Sequence, residues 1–306
     1  MVPIIRYRKF YYAFSAVLVT LSIAALLMWG LKFGIDFKGG SLLVGEFETT
    51  VLTGQEISEI AQSINLGEIV VQPTGEKGVL LRFRDVDEQT HQQVIAALNE
   101  FAQEQNPENM FTQRSFESIG PSIGKELRTK ALTATAIVLA LIIGYIALAF
   151  RKISYPLSSW KYGIATLIAL SHDVIIPLGL FAVLGRFYNV EISSAFIAAI
   201  LTVLGYSVHD SIIVFDRVRE NLLRHHGETF DETVNISVNQ TFVRSLNTSL
   251  TVILVLLAIY FFGGESIKYL ALMLLVGIGV GTYSSIFIAS TILVSWYDRM
   301  MGQKAR

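Results

Sequence analysis

Hydrophobic residues along this chain gather into six long runs, at 10–31, 131–150, 162–184, 192–215, 245–262 and 269–296. Each meets or approaches the ~20 residues that a helix needs to cross a ~30 Å hydrocarbon layer; the fifth is the shortest. Between the first two runs the period changes. Residues 41–47 alternate like a strand, and Thr53-Gly-Gln-Glu56 is a capping box that opens a helix to about 64. A strand at 68–72, a turn at 73–78 and a strand at 79–84 follow. A helix over 87–105 carries Val94, Leu98 and Phe101 on one stripe and stops at Asn106-Pro107; 111–119 returns as a strand. The order βαββαβ predicts a ferredoxin-like α+β domain at 33–129. It follows a first segment at 1–32 and precedes a five-helix membrane bundle at 130–306, with a polar loop at 217–241.

Composition agrees with a polytopic α-helical membrane protein: 52% of the 306 residues are hydrophobic and only 16% are charged. There is no cysteine, which removes disulfide and thiol chemistry, and the net charge of −1 argues against a nucleic-acid partner. Basic residues choose an orientation. Arg6, Arg8 and Lys9 precede the first run; Arg151, Lys152 and Lys161 lie between the second and third. Arg217, Arg219, Arg224 and Arg244 lie between the fourth and fifth, and Arg299, Lys304 and Arg306 lie at the end. The two short loops on the other side carry only Arg186 and Lys268. The positive-inside rule puts both termini in the cytoplasm and the α+β domain outside. The first run is longer than a ~7–15-residue signal core and reads as an uncleaved anchor.

The chemistry concentrates in Leu201-Thr-Val-Leu-Gly-Tyr-Ser-Val-His-Asp210. A carboxylate inside an apolar run costs roughly 2.5–3.5 kcal/mol on insertion scales, so Asp210 calls for a partner or a task. Helical spacing puts Tyr206 on its face, with Thr202, Gly205 and His209 on the adjoining stripe. The plain alternative is an acid reaching out to the interface, about 9 Å of helical rise from Asp216. Arg244 enters the membrane from the same side and is the natural partner of Asp210, unless it snorkels to lipid phosphates. Gln240, Asn247, Thr248 and Thr251 continue its polar stripe. His172 and Asp173 sit near the middle of the third run, open to structural bonding or to proton handling. Gly277, Gly281 and Ser285 form a small-xxx-small row suited to close helix packing. A phosphate loop is excluded, because Gly120 to Gly124 is one residue short and Glu126 stands where a Mg²⁺-binding hydroxyl should be. The pair His225-His226 lacks further ligands, so no metal site, cofactor or enzyme is expected.

Together these segments resemble the SecF family of the SecD–SecF protein-export complexes, within the resistance-nodulation-division superfamily. The resemblance rests on Gly34-Ile-Asp-Phe-Lys-Gly-Gly40, Ile119-Gly-Pro-Ser-Ile-Gly-Lys-Glu-Leu127, Ala169-Leu-Ser-His-Asp-Val174 and Gly205-Tyr-Ser-Val-His-Asp-Ser211. Thr241-Phe-Val-Arg-Ser-Leu-Asn-Thr-Ser249 and Gly281-Thr-Tyr-Ser-Ser285 add to it. It implies an accessory subunit beside SecD and the SecYEG channel, in the inner membrane of a prokaryote. There it acts after the SecA motor, drawing preproteins across with the proton motive force; sodium is the alternative coupling ion. It also implies that Asp210 and Arg244 are the coupling pair, working with an acid on a SecD helix that this chain lacks. Many relatives carry Asn where His209 stands. Two other classes stay open at this point, an exporter of lipids or small molecules and a passive scaffold.

Overall fold

The computed structural model describes residues 1–149, 157–224, 227 and 229–304. Arg151, Lys152, His225, His226 and Arg306 lie outside the described residues. The chain divides into two compact units: Phe33–Leu132, and Met1–Lys32 together with Thr133–Arg306.

In the smaller unit a short helix α2 (Ile35–Lys38) leads into β1 (Gly40–Phe47). Helix α3 (Gly54–Ser63) opens on the predicted capping box: the Glu56 backbone N–H donates to Thr53 Oγ1 at 3.3 Å, and the Thr53 N–H donates to the Glu56 carboxylate at 2.6 Å. Strands β2 (Val70–Thr74) and β3 (Gly78–Phe83), helix α4 (Glu88–Gln105) and β4 (Phe111–Ile119) complete the unit. The sheet order is β2-β3-β1-β4, and every neighbouring pair is antiparallel. Strand β2 starts two residues later than the hydropathy pattern suggests. Asn65 and Gly67 take positive φ, so the chain is still turning where a strand at 68 was expected. Pro73 then extends β2 without loss, since β2 is an edge strand paired only with β3. Inward residues of the sheet, Leu43, Phe47 and Leu81, meet Ile57 of α3 and Val94 and Leu98 of α4 to make the core.

Backbone contact explains two glycines at the start of helix α5 (Pro121–Ala149). Gly39 has φ +81°, and a Cβ there would lie 2.8 Å from Pro121 Cα. A Cβ at Gly124 would meet the Gly39 nitrogen at 3.0 Å and the Phe37 carbonyl carbon at 3.1 Å. The two glycines therefore let α2 and α5 touch main chain to main chain.

The larger unit is helical: α1 (Arg8–Trp29), the later part of α5, α6 (Ser159–Tyr188), α7 (Ser194–Leu223), α8 (Phe230–Phe262), α9 (Glu265–Ser284) and α10 (Ser290–Lys304). A π-helical turn, Ser285–Ala289, joins α9 to α10 without interrupting the rod. Among the described residues six helices are long and apolar enough to cross a membrane. Close packing follows the small residues. A Cβ at Gly179 of α6 would overlap Ser22 of α1 at 2.3 Å, and one at Gly277 of α9 would overlap Val203 of α7 at 2.4 Å. At one end Arg8 clamps three helices, donating to Asp231 at 3.2 Å and to Asp298 at 2.6 Å.

Most of the described part of the stretch 217–241, expected as a loop, is helical. Helix α7 runs to Leu223 and α8 begins at Phe230, so the fifth span, expected to be shortest, has 33 residues. Phe230, Val234 and Val238 are buried at helical spacing, and Asn221 donates to Ser237 Oγ at 2.8 Å and to Gln240 Oε1 at 2.9 Å. Hydropathy misses these turns because their outer faces are charged, while packing onto a neighbour keeps them helical. The Glu220–Arg224 pair forms at 2.8 Å.

Candidate functional site

Asp210 lies on α7 with 2% of its surface exposed. One carboxylate oxygen accepts a long 3.4 Å hydrogen bond from Ser245 of α8; the other has no hydrogen-bond partner among the described residues. Four residues earlier, Tyr206 donates its hydroxyl to Ser249 at 3.1 Å. Ser249 and Thr282 of α9 are 2.6 Å apart. On the next stripe, Ser211 donates to Ser285 at 3.1 Å, and Ser285 donates to the Ser207 carbonyl at 3.1 Å. The bundle core around Asp210 is thus lined with hydroxyls from three helices. They sit there because Ser and Thr side chains can fold back onto the carbonyl four residues earlier, as Ser249 does to Ser245 and Thr282 to Ile278.

A second acid, Asp173 of α6, is fully buried and fully satisfied. Ser207 and Ser284 donate to one of its oxygens at 2.5 and 2.7 Å, and His172 Nδ1 lies 3.0 Å from the other. Asp173 therefore joins α6 to α7 and α9. Each of its bonds helps to repay the desolvation of a carboxylate. Asp210 has no such network.

The remaining residues fall in two places. Gly277, Gly281 and Ser285 line the α9 face against α7; a Cβ at Gly281 would stand 3.2 Å from Ser207 Cβ. Thr202, Gly205 and His209 of α7 are exposed, as are Arg244, Asn247 and Thr248 of α8. The structure brings Ser245, and not Arg244, against Asp210; among the described residues no ion pair joins Arg244 to that acid. Ser207, Ser245, Ser249, Thr282 and Ser284 were not singled out by the sequence. Their signal is present in hindsight as the four-residue spacing 241, 245, 249 on α8 and 207, 211 on α7. No group of three or more His, Cys, Asp or Glu side chains that could hold a metal is found among the described residues.

Residues 99–299 match the family described as Protein export membrane protein SecD/SecF, C-terminal, and residues 29–51 match the SecD/SecF GG motif. Gly39 and Gly40, the two glycines of that motif, are those with positive φ at the start of the smaller unit. A protein translocase subunit SecF from Thermobaculum terrenum is 43% identical, over 98% of this chain and 95% of its own length. One from Haemophilus influenzae is 38% identical, over 93% of this chain and 83% of its own. The crystal structure of a Thermus SecDF, described as a translocon-associated membrane protein, superposes with a TM-score of 0.79 at 32% identity. That match covers 96% of this chain but only 38% of the longer SecDF chain. A SecDF in a super-membrane-facing form gives a TM-score of 0.68 at 34% identity, over 99% of this chain and 39% of that one. With these relatives, a bundle of six apolar helices and a small antiparallel sheet unit, the chain belongs to the SecF family of Sec protein-translocase subunits.

Proposed function

We propose that this accessory subunit of the Sec translocase couples the proton gradient to preprotein movement through Asp210, together with a SecD subunit. The observation that carries the reading is the contrast between two buried acids. Asp173 is held by three partners, whereas Asp210 has one weak bond and one unpartnered oxygen. A carboxyl group that can gain or lose a proton inside a packed bundle favours a different arrangement in each state. One charge moved down 100 mV supplies ~2.3 kcal/mol, enough to bias such a choice.

The polar outer face of α7 and α8 supports a SecD neighbour. His209, Arg244 and Asn247 are exposed in helices otherwise built for lipid, where polar side chains are costly, beside Thr202 and Thr248, whose hydroxyls fold back onto the Ala198 and Arg244 carbonyls. We read this face as the one that meets SecD, with Arg244 available to an acid on it. Both termini then lie in the cytoplasm. The sheet unit, read as a ferredoxin-like sandwich, lies outside, where it can touch a chain emerging from SecYEG after SecA has acted. Cysteine labelling tests the orientation: a probe at position 224 should react only from the cytoplasmic side, and reaction from outside in intact cells would overturn it.

The mechanism is tested by preprotein release in cells or inverted vesicles containing Asp210→Asn and wild-type SecD. Asn is nearly isosteric and cannot ionise, so the variant should accumulate normally yet lose gradient-stimulated release. Normal stimulation by a stably expressed variant would end the proposal. Collapsing the proton gradient while a sodium gradient is kept identifies the ion: release should stop, and continued release would assign sodium.

A further inference from the structure

A cavity of about 680 Å³ opens between α1, α6 and α10. Its walls are largely apolar, from side chains such as Val19, Ile168 and Ile292. Tyr12, Ser15, Ser171 and Ser295 place hydroxyls in it, and Arg299 and Trp296 stand at the end nearer the carboxyl terminus. His172 also lines it. This histidine is 5% exposed, and its Nε2 has no hydrogen-bond partner among the described residues. Its other nitrogen faces Asp173 at 3.0 Å.

We propose that His172 is a second proton-exchange site of the bundle, taking up and releasing a proton at Nε2 through this groove. The carboxylate of Asp173 fixes the tautomer, because Nδ1–H donates to it whether the ring is neutral or charged. The neutral ring then presents the Nε2 lone pair, where protonation breaks no hydrogen bond within the described residues. Uptake moves a hydrated proton from the groove to that lone pair, breaking one O–H bond of the hydronium, forming one N–H bond and leaving neutral water; release is the reverse. Tyr12 and Ser295 are hydrogen-bonded to each other at 2.9 Å, Ser15 donates to Tyr283 at 3.2 Å and Ser171 to the Leu167 carbonyl at 2.9 Å. The lone pairs these hydroxyls keep can still accept from water, and the groove is roomy enough to hold it. Other titratable or charged groups facing His172 are few. Tyr283 comes from α9, with ring centroids 6.0 Å apart, Tyr12 from α1 and Arg299 from α10 at the far end. From α7 comes Ser207, with Asp210 three residues further on.

Charge balance supplies the consequence. With Nε2 protonated, the His172–Asp173 pair is neutral overall. With it bare, no full positive charge faces Asp173, and its charge is offset by the His172 Nδ1–H and by the Ser207 and Ser284 hydroxyls, the last two reaching in from α7 and α9. The proton state of His172 is thereby passed to the segment of α7 that carries Asp210. The titration itself does not depend on the role of Asp210; its link to export rests on the reading given above.

The test is nitrogen NMR of the full-length chain in lipid, labelled at its five histidines, with His172→Gln to assign the signal. When the sample is stepped over a range from acid to alkaline pH, the His172 Nε2 resonance should move between its protonated and bare positions while Nδ1 stays protonated. Ser15→Leu, which fills the groove, should slow proton exchange at Nε2 severalfold. Asp173→Asn, if it folds, should release the tautomer lock and give signals of both neutral forms. An Nε2 resonance that stays fixed across the range, or a titrating Nδ1, overturns the site even if Asp210→Asn abolishes export. In vesicles containing SecD, His172→Gln should lose much of the gradient-stimulated release. Full stimulation despite a confirmed titration would sever the link to export while leaving Asp210 untouched.

Discussion

Asp173 and Asp210 are acids in neighbouring apolar helices, and the side chains around them decide their different fates. Three short contacts tie Asp173 to the packing of α6, α7 and α9, while Asp210 rests on Ser245 alone. Sequence spacing found both acids, because a charge in an apolar run is conspicuous. It did not find their partners. Arg244 and Ser245 are adjacent, and helical periodicity alone does not say which of two neighbours turns about 100° toward the core. A small hydroxyl also leaves no mark in an apolar run. Outside the membrane the local signal was stronger, since a capping box depends on residues three apart. The Thr53 backbone N–H, and then its hydroxyl, hold the Glu56 carboxyl below the usual glutamate range. Stability from this contact is therefore present above the unfolded glutamate value of about 4.3 and lost as pH falls through the lower folded value. Thr53→Ala should destabilise α3 by about 0.5–2 kcal/mol at neutral pH. Hydrogen exchange of the α3 amides in the full chain would show faster opening, with the difference from wild type shrinking in acid. Equal protection at neutral pH would contradict the cap's role.

The helices show where hydropathy serves well and where it stops. Six spans were legible because apolar length is a direct demand of the bilayer. The helical ends of α7 and α8 within 217–241 were not, because their sequence is polar and contacts such as Asn221 with Ser237 and Gln240 hold them together. Packing of α7 on α9 gives a sharper prediction. Gly277 faces Val203 so closely that an added methyl must move it, whereas a Cβ at Gly205 meets nothing within 4 Å. Gly277→Ala should cost about 1–3 kcal/mol from overpacking. Val203→Ala in the same chain should recover part of that loss, and Gly205→Ala should leave the isolated chain's thermal stability unchanged. The same Gly205→Ala change is expected to weaken association with SecD, because it adds bulk to the outward face. Unaltered melting of Gly277→Ala would show that α7 and α9 are not tightly apposed there.

At the scale of the molecule, a mixed α+β unit and a polar-cored helical unit share one chain, and each follows a different period in the sequence. The strands and helices of the sheet unit were legible in the order of the elements; the hydroxyl-rich interior was not, because it exists only once α6, α7, α8 and α9 come together. That interior supports the proposal that Asp210 is the group which loads and releases the coupling proton. The most direct measurement is infrared difference spectroscopy of the full chain with SecD in lipid, stepped between acidic and alkaline pH. The wild type should show a protonated carboxylic-acid band that disappears on deprotonation, and Asp210→Asn should lack that band while keeping the rest of the spectrum. Identical carboxyl bands in the wild type and Asp210→Asn would show that the proton resides elsewhere and contradict the account.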